Sequence, residues 1–193
     1  MRLAINLVLL ALVAFLLYVL YDSIREPIVF KAEKEKRENA VIDKLIKVRK
    51  AQELYRSITG KFAHNFDTLT DVLTNGQFAL VSVEGDPDDP SGQGVVYDTS
   101  YVPARDSMRA LGLNVDSLRY VPYSVNNTEF EIQADTLTYQ KTLVNVVEVG
   151  VSRTKYLGEY ADERFKRYDN SFDPFKVIKF GNMNAPNLSG NWE

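Results

Sequence analysis

The chain has 193 residues, with 23 Lys and Arg against 26 Asp and Glu for a net charge of −3, and it contains no cysteine. That balance, with no long basic run outside one charged helix, excludes an electrostatic nucleic-acid binder. The lack of cysteine excludes disulfides, thiol catalysis, cysteine metal sites and a lipoprotein anchor. In chain order, the first element is Leu3 to Tyr21, where Asn6 is the one strongly polar residue. As a helix this stretch spans roughly 28 Å, close to the hydrocarbon thickness of a bilayer. It has no polar face, and Tyr18 and Tyr21 stand at its end, where aromatic rings favour the membrane–water boundary. A single transmembrane anchor is expected. A cleaved signal peptide would have a shorter apolar region followed by small residues, whereas Tyr-Asp-Ser-Ile follows here. Asn6 offers an amide for a neighbouring membrane helix or for the headgroups.

Pro27 punctuates the exit, either kinking a continuous helix or opening a second one. Lys31 to Ile58 lacks Gly and Pro and reads as one long helix closed by Gly60. Its first part, Lys31 to Asn39, is dense in mixed charge, with Glu33/Arg37 as an i,i+4 pair, and is expected to be solvated. Its second part carries an apolar stripe at Val41, Leu45, Val48 and Tyr55, widened by Ile42 and Ile58, and is expected to pack on a partner helix or on the chain's own sheet. Phe62, Phe66, Leu69 and Leu73 then recur at helical spacing, with Asn65 as N-cap and Asn75-Gly76 as the stop.

Beyond Gln77 the pattern turns to strands. FALVSVE and VVYDTS flank the turn-rich GDPDDPSGQG, and Ser107 to Leu111 reads as one or two helical turns. LRYVPYS and EFEIQAD, across Asn126-Asn127-Thr128, read as a β-hairpin. KTLVNVVEVGVS is the strongest strand, with Val147, Val149 and Val151 on one face. Tyr156 to Arg167 reads as helix or loop, FKVIKF as a last strand, and GNMNAPNLSGNWE as an irregular tail. The expected fold is α+β: an anchor over 1–22, a stalk helix over 23–60, a mostly antiparallel sheet domain over 61–181, and a tail over 182–193.

This order, and LIKVRKAQELYRSITGKFAHNFDTLTDVL in particular, resembles the type IV pilin and pseudopilin family, above all the major pseudopilin of type II secretion. Ala51, Tyr55, Gly60, Phe62 and Leu69 carry the likeness. It implies a pilin-like fold and a subunit of a bacterial envelope assembly. The family's cleavage motif and early glutamate have no counterpart, with Ile5 and Asn6 standing where the carboxylate would lie. The leading expectation is therefore a fixed, non-catalytic inner-membrane component of a secretion or motility machine. A short polymerising filament subunit is the alternative.

A second resemblance concerns Asp-Ser/Thr followed by an aliphatic residue or Met, similar to the O-glycosylation acceptor of Bacteroidota periplasmic proteins. It occurs at Asp22-Ser23-Ile24, Asp67-Thr68-Leu69, Asp106-Ser107-Met108, Asp116-Ser117-Leu118 and Asp135-Thr136-Leu137. Both resemblances imply a periplasmic domain. Charge counting points the other way, since Arg2 precedes the anchor and Arg25, Lys31, Lys34, Lys36 and Arg37 follow it.

Candidate chemistry is sparse. Asp86, Asp88 and Asp89 offer hard oxygen ligands, and the pseudopilin resemblance implies calcium, but the spacing is not that of an EF-hand loop. A third reading, an anchored calcium- or ligand-binding module, would use that loop. His64 is the single histidine, which excludes a multi-histidine metal site. Glu148 lies among valines, either desolvated or on the polar side of a sheet. Gly92 and Gly94 lack the residues of a phosphate loop. With no nucleophile–base pair in view, no enzymatic activity is expected; lipid and other membrane or periplasmic subunits, including further copies of the chain, are the expected partners.

Overall fold

The structure is a computed structural model and describes residues 1–84 and 96–193. One helix, α1 (Arg2–Thr59), contains both the apolar segment and the stalk and runs through Pro27 without ending. Proline has no N–H to offer the carbonyl of Ser23, so the helical ladder loses one bond at that level. The helix stops at Gly60, whose φ of 77° lets its N–H turn back to the carbonyl of Arg56. Glycine carries that left-handed conformation without a Cβ penalty.

Residues 1–25 of α1 are exposed throughout. From there a folded head covers one face of the helix. Val41, Leu45 and Val48 of the predicted stripe are fully buried, together with Phe30, Ala51 and Gln52, and Tyr55 is half-buried. The stripe is thus occupied by the chain's own head, which leaves Val41, Leu45 and Val48 closed to a second helix.

The expectation of a solvated Lys31–Asn39 segment holds for Lys31, Ala32, Glu35, Lys36 and Asn39, which are exposed, and is corrected on the opposite face, which is half-buried. Lys34, Arg37 and Glu38 continue the buried line towards the anchor at spacings of three and four, and each finds a distant partner. Lys34 Nζ lies 2.6 Å from Asp169, Arg37 Nη1 donates to the carbonyl of Leu157 at 2.7 Å, and Arg153 Nε lies 2.7 Å from Glu38. Periodicity selects the face, and paired charge substitutes for apolar residues on it.

The short helix α2 (Phe66–Asn75) packs Phe66, Leu69 and Leu73 into the core. Asn65 caps it as predicted, its side-chain oxygen accepting the N–H of Thr68 at 2.7 Å. Asn65→Ala is expected to cost about 1 kcal/mol, seen as a lower Tm with unchanged helix content at room temperature. Two strands, β1 (Gln77–Glu84) and β2 (Val96–Pro103), pair antiparallel, with Leu80 opposite Ser100, as a separate ribbon. Helix α3 (Ala104–Ala110) follows and buries Ala104 and Met108.

The main sheet has the order β3 (Glu131–Tyr139), β4 (Thr142–Ser152), β5 (Val177–Gly181), antiparallel throughout. Ile132, Val149 and Phe180 form one row across it, and Val147 and Val151 flank that row on β4. Between β4 and β5 lie α4 (Thr154–Leu157) and two short 3-10 turns. At Gly181 (φ 82°) a Cβ would meet the carbonyl oxygen of Val147 at 2.0 Å, so only glycine lets β5 end so close to β4.

The hairpin expected across Asn126-Asn127-Thr128 is corrected. There the chain makes a 3-10 turn closed by a single bridging pair, Tyr120 and Glu129. Pro122 cannot donate to a ladder, and Tyr123 takes a φ of 59°, which ends strand pairing at once. The true hairpin joins β3 to β4 through Gln140 and Lys141, both at positive φ, the two-residue geometry that matches strand twist. The tail is irregular but fastened. Asn191 accepts the N–H of Lys179 and donates to the carbonyl of Val177, and Arg49 reaches Glu193 at 2.8 Å.

Candidate functional site

The features that distinguish this chain are the exposed apolar segment and the junction where the head meets it. The segment is long and apolar enough to cross a membrane, and none of it is buried in the head. A soluble core helix of this composition would be covered. Asn6, Tyr18 and Tyr21 all project from its open surface.

The junction begins one helical turn past Tyr21. Glu26 receives hydrogen bonds from the Tyr168 hydroxyl and from Arg167 Nη2, the latter at 2.5 Å. One turn further, Phe30 inserts into an aromatic cluster. Its ring stacks on Phe165 at 4.4 Å with planes within 2°, and meets Phe172 edge-on at 5.1 Å. Tyr160 and Tyr168 complete the ring of contacts at 6.5 Å each. Above it come the Lys34–Asp169 pair and the Glu38–Arg153 pair. Tyr156 sits beside the latter, fully buried, and burial followed by the Glu38 charge pushes its hydroxyl pKa well up. Further up, the buried Gln52 side chain exchanges two hydrogen bonds with the backbone of Ala63, at 2.9 and 3.0 Å. The loop after α1 is thereby sewn to the helix without exposing a polar group.

Three carboxylates of this framework lie below their ordinary range. The Tyr168 hydroxyl, then Arg167, lowers Glu26. Lys34, then Ser171, draws Asp169 down to about 2. Arg49 lowers Glu193. A group that binds its proton more weakly folded than unfolded contributes stability that is complete above its unfolded value and lost as pH falls through the folded one. Head stability is therefore expected to be level above about pH 5 and to fall from about pH 4.5 towards pH 2. Thermal unfolding across that range measures it, and Asp169→Asn is expected to flatten the lower part of the decline.

Glu148 faces away from the core and pairs with Lys179 at 2.8 Å, on the polar side of the sheet. His64 is exposed beside Asp135, Thr136 and Asn145. Asp86, Asp88 and Asp89, the calcium candidates, lie outside the described residues. Among the described residues no three His, Asp or Glu side chains gather as a metal site. The aromatic cluster and the inward-facing charges were not anticipated from sequence. The local signal was the register of Phe30 with Val41 and Leu45, eleven and fifteen positions further along the helix.

No protein-family model, curated protein or solved structure matches the chain.

Proposed function

We propose that this chain is a single-pass, membrane-anchored structural subunit of a bacterial envelope-spanning assembly of the secretion or motility type, with a non-catalytic head on the periplasmic side. One observation carries the reading. A single helix is uncovered up to Arg25, with an apolar surface from Leu3 to Tyr21, and is clasped by a folded head over the remainder. Such a surface is stable in lipid and costly in water. The pilin-like order of elements supports an assembly role, and the burial of Val41, Leu45 and Val48 beneath the head leaves other surfaces to make the contacts.

The deciding experiment begins with a carbonate wash of membranes carrying the full-length chain. Retention in the pellet is expected, and release into the supernatant overturns the anchored reading. Paired reporters fused after Trp192 then fix the side: phosphatase activity without fluorescence is expected, and the reverse places the head in the cytoplasm. Copurification from native membranes in mild detergent is expected to bring down other envelope proteins. An isolated monomer argues against an assembly role, and a trimmed, methylated amino terminus favours the filament subunit instead.

A further inference from the structure

A groove of about 540 Å³ opens at the junction, bounded by Pro27, Ile28, Lys31 and Lys34 of α1 and by Tyr168 and Asp169 of the head. It is not an isolated hollow. A second, shallower one lined by Tyr21, Ile24, Arg25 and Ile28 adjoins it through Ile28, so the apolar surface of the anchor continues into the groove along positions 21, 24 and 28. All three of those side chains are exposed.

The charges at the groove are unequal. Asp169 is engaged by Lys34, and Glu26 is engaged by Arg167 and Tyr168. Lys31 is exposed and makes no ion pair among the described residues. Helical side chains lean towards the N-terminus, so the Lys31 ammonium is carried back over the turn that holds Pro27 and Ile28. That level lies roughly 10 Å beyond Tyr21 along the helix axis, just outside a headgroup layer of about 5–8 Å, and tilt of the helix brings it nearer. A cation over an apolar wall, open to the lipid side and closed by the head above, matches one chemistry: an acyl chain below and a phosphate above.

We infer that this groove seats an anionic phospholipid, its phosphate on Lys31 and its apolar part along Ile24 and Ile28. The inference rests on the anchored reading and assigns the junction a lipid-selecting role that the anchor alone does not have. The site holds the head against the membrane surface through a bound lipid as well as through the helix.

The test uses the full-length chain in nanodiscs of equal parts phosphatidylglycerol and phosphatidylcholine, with retained lipid counted by native mass spectrometry after release into mild detergent. The wild-type chain is expected to retain phosphatidylglycerol over phosphatidylcholine by about fivefold, the weight of one lysine beside an anionic surface. Lys31→Gln is expected to bring the ratio near parity. Ile28→Trp, which fills the groove from an exposed position, is expected to reduce retained lipid of both kinds. Both variants should melt with the wild type, since neither residue is buried. Equal retention of the two lipids by the wild type, an unchanged preference in Lys31→Gln, or undiminished lipid in Ile28→Trp overturns the inference. A chain that leaves the membrane in carbonate overturns the anchored reading and the lipid site together. A chain that stays in the bilayer with no lipid preference overturns the site alone.

Discussion

Phe30→Ala is expected to lower the Tm of the head by about 10 °C, because emptying a buried aromatic site costs about 3–5 kcal/mol in a domain of this size. The ring is 2 % exposed and lies between Phe165, Phe172, Tyr160 and Tyr168, so no single neighbour can close the space it leaves. Part of the cost is the loss of the stacked and edge-on ring contacts, which contribute beyond area alone. The damage is also expected to be local. Segment 158–172 touches α1 through Phe30, Glu26, Lys34 and Arg37, so amide exchange there should rise before exchange in β3 and β4. Phe30→Leu, which keeps most of the volume, should recover more than half of the loss. An Ala variant that melts with the wild type, or that loosens the main sheet first, would show that the aromatic cluster does not hold the head to the helix.

Arg153→Met is expected to be comparably severe, at about 3–5 kcal/mol, by a different route. Arg153 is 8 % exposed, its Nε lies 2.7 Å from Glu38, and its Nη1 donates to the carbonyl of Asp173 at 3.2 Å. The Nε–Glu38 contact is a close ion pair without hydrogen-bond alignment, since neither Nε nor Glu38 Oε1 has a hydrogen-bond partner. Removing the guanidinium strands the Glu38 carboxylate beside the buried Tyr156 hydroxyl, itself without a partner. The charge then has little water and no counter-ion, which is a costly state. Replacing both partners, as Glu38→Leu with Arg153→Met, should restore most of the stability, because the pair's attraction is largely offset by its desolvation. Chemical denaturation of the two single variants and the double variant gives the coupling directly. A double variant no better than Arg153→Met would mean that packing, not charge, sets the loss.

The parts of this fold legible in the sequence are those whose cause is local. The 41/45/48 spacing names a buried helix face, Asn65 names a cap, Gly60 names a stop, and alternation at 147, 149 and 151 names the central strand. Each needs only a few neighbouring residues to be understood. The inward turn of Lys34, Arg37 and Glu38 is of another kind. Their partners Asp169, Leu157 and Arg153 stand more than a hundred positions away, so the charge-dense segment carried no sign of which charges would be paired. The hairpin expected at Asn126-Asn127 differs for another reason, competing local cues. Asn126-Asn127 is the stronger turn signal, yet Pro122 and the positive φ of Tyr123 deny it strands to join, while Gln140-Lys141 turns because β3 and β4 are already in register. At the junction, apolar character alone announced the segment up to Tyr21. The groove beside Ile28 arises only when Tyr168 and Asp169 are brought beside the helix.

α1 has no joint between its apolar segment and the part that carries the head, since Pro27 lies inside it and Glu26, Phe30 and Lys34 clamp the helix directly on either side of that residue. In the anchored arrangement the whole protein is consequently a lever. Residues 21 to 59 extend about 57 Å from the lipid boundary. A spanning segment leaning by about 20°, an ordinary value, swings the far end sideways by roughly 20 Å. The packing and interfacial anchors that set that lean would then decide how far out and in which direction the β1–β2 ribbon is presented.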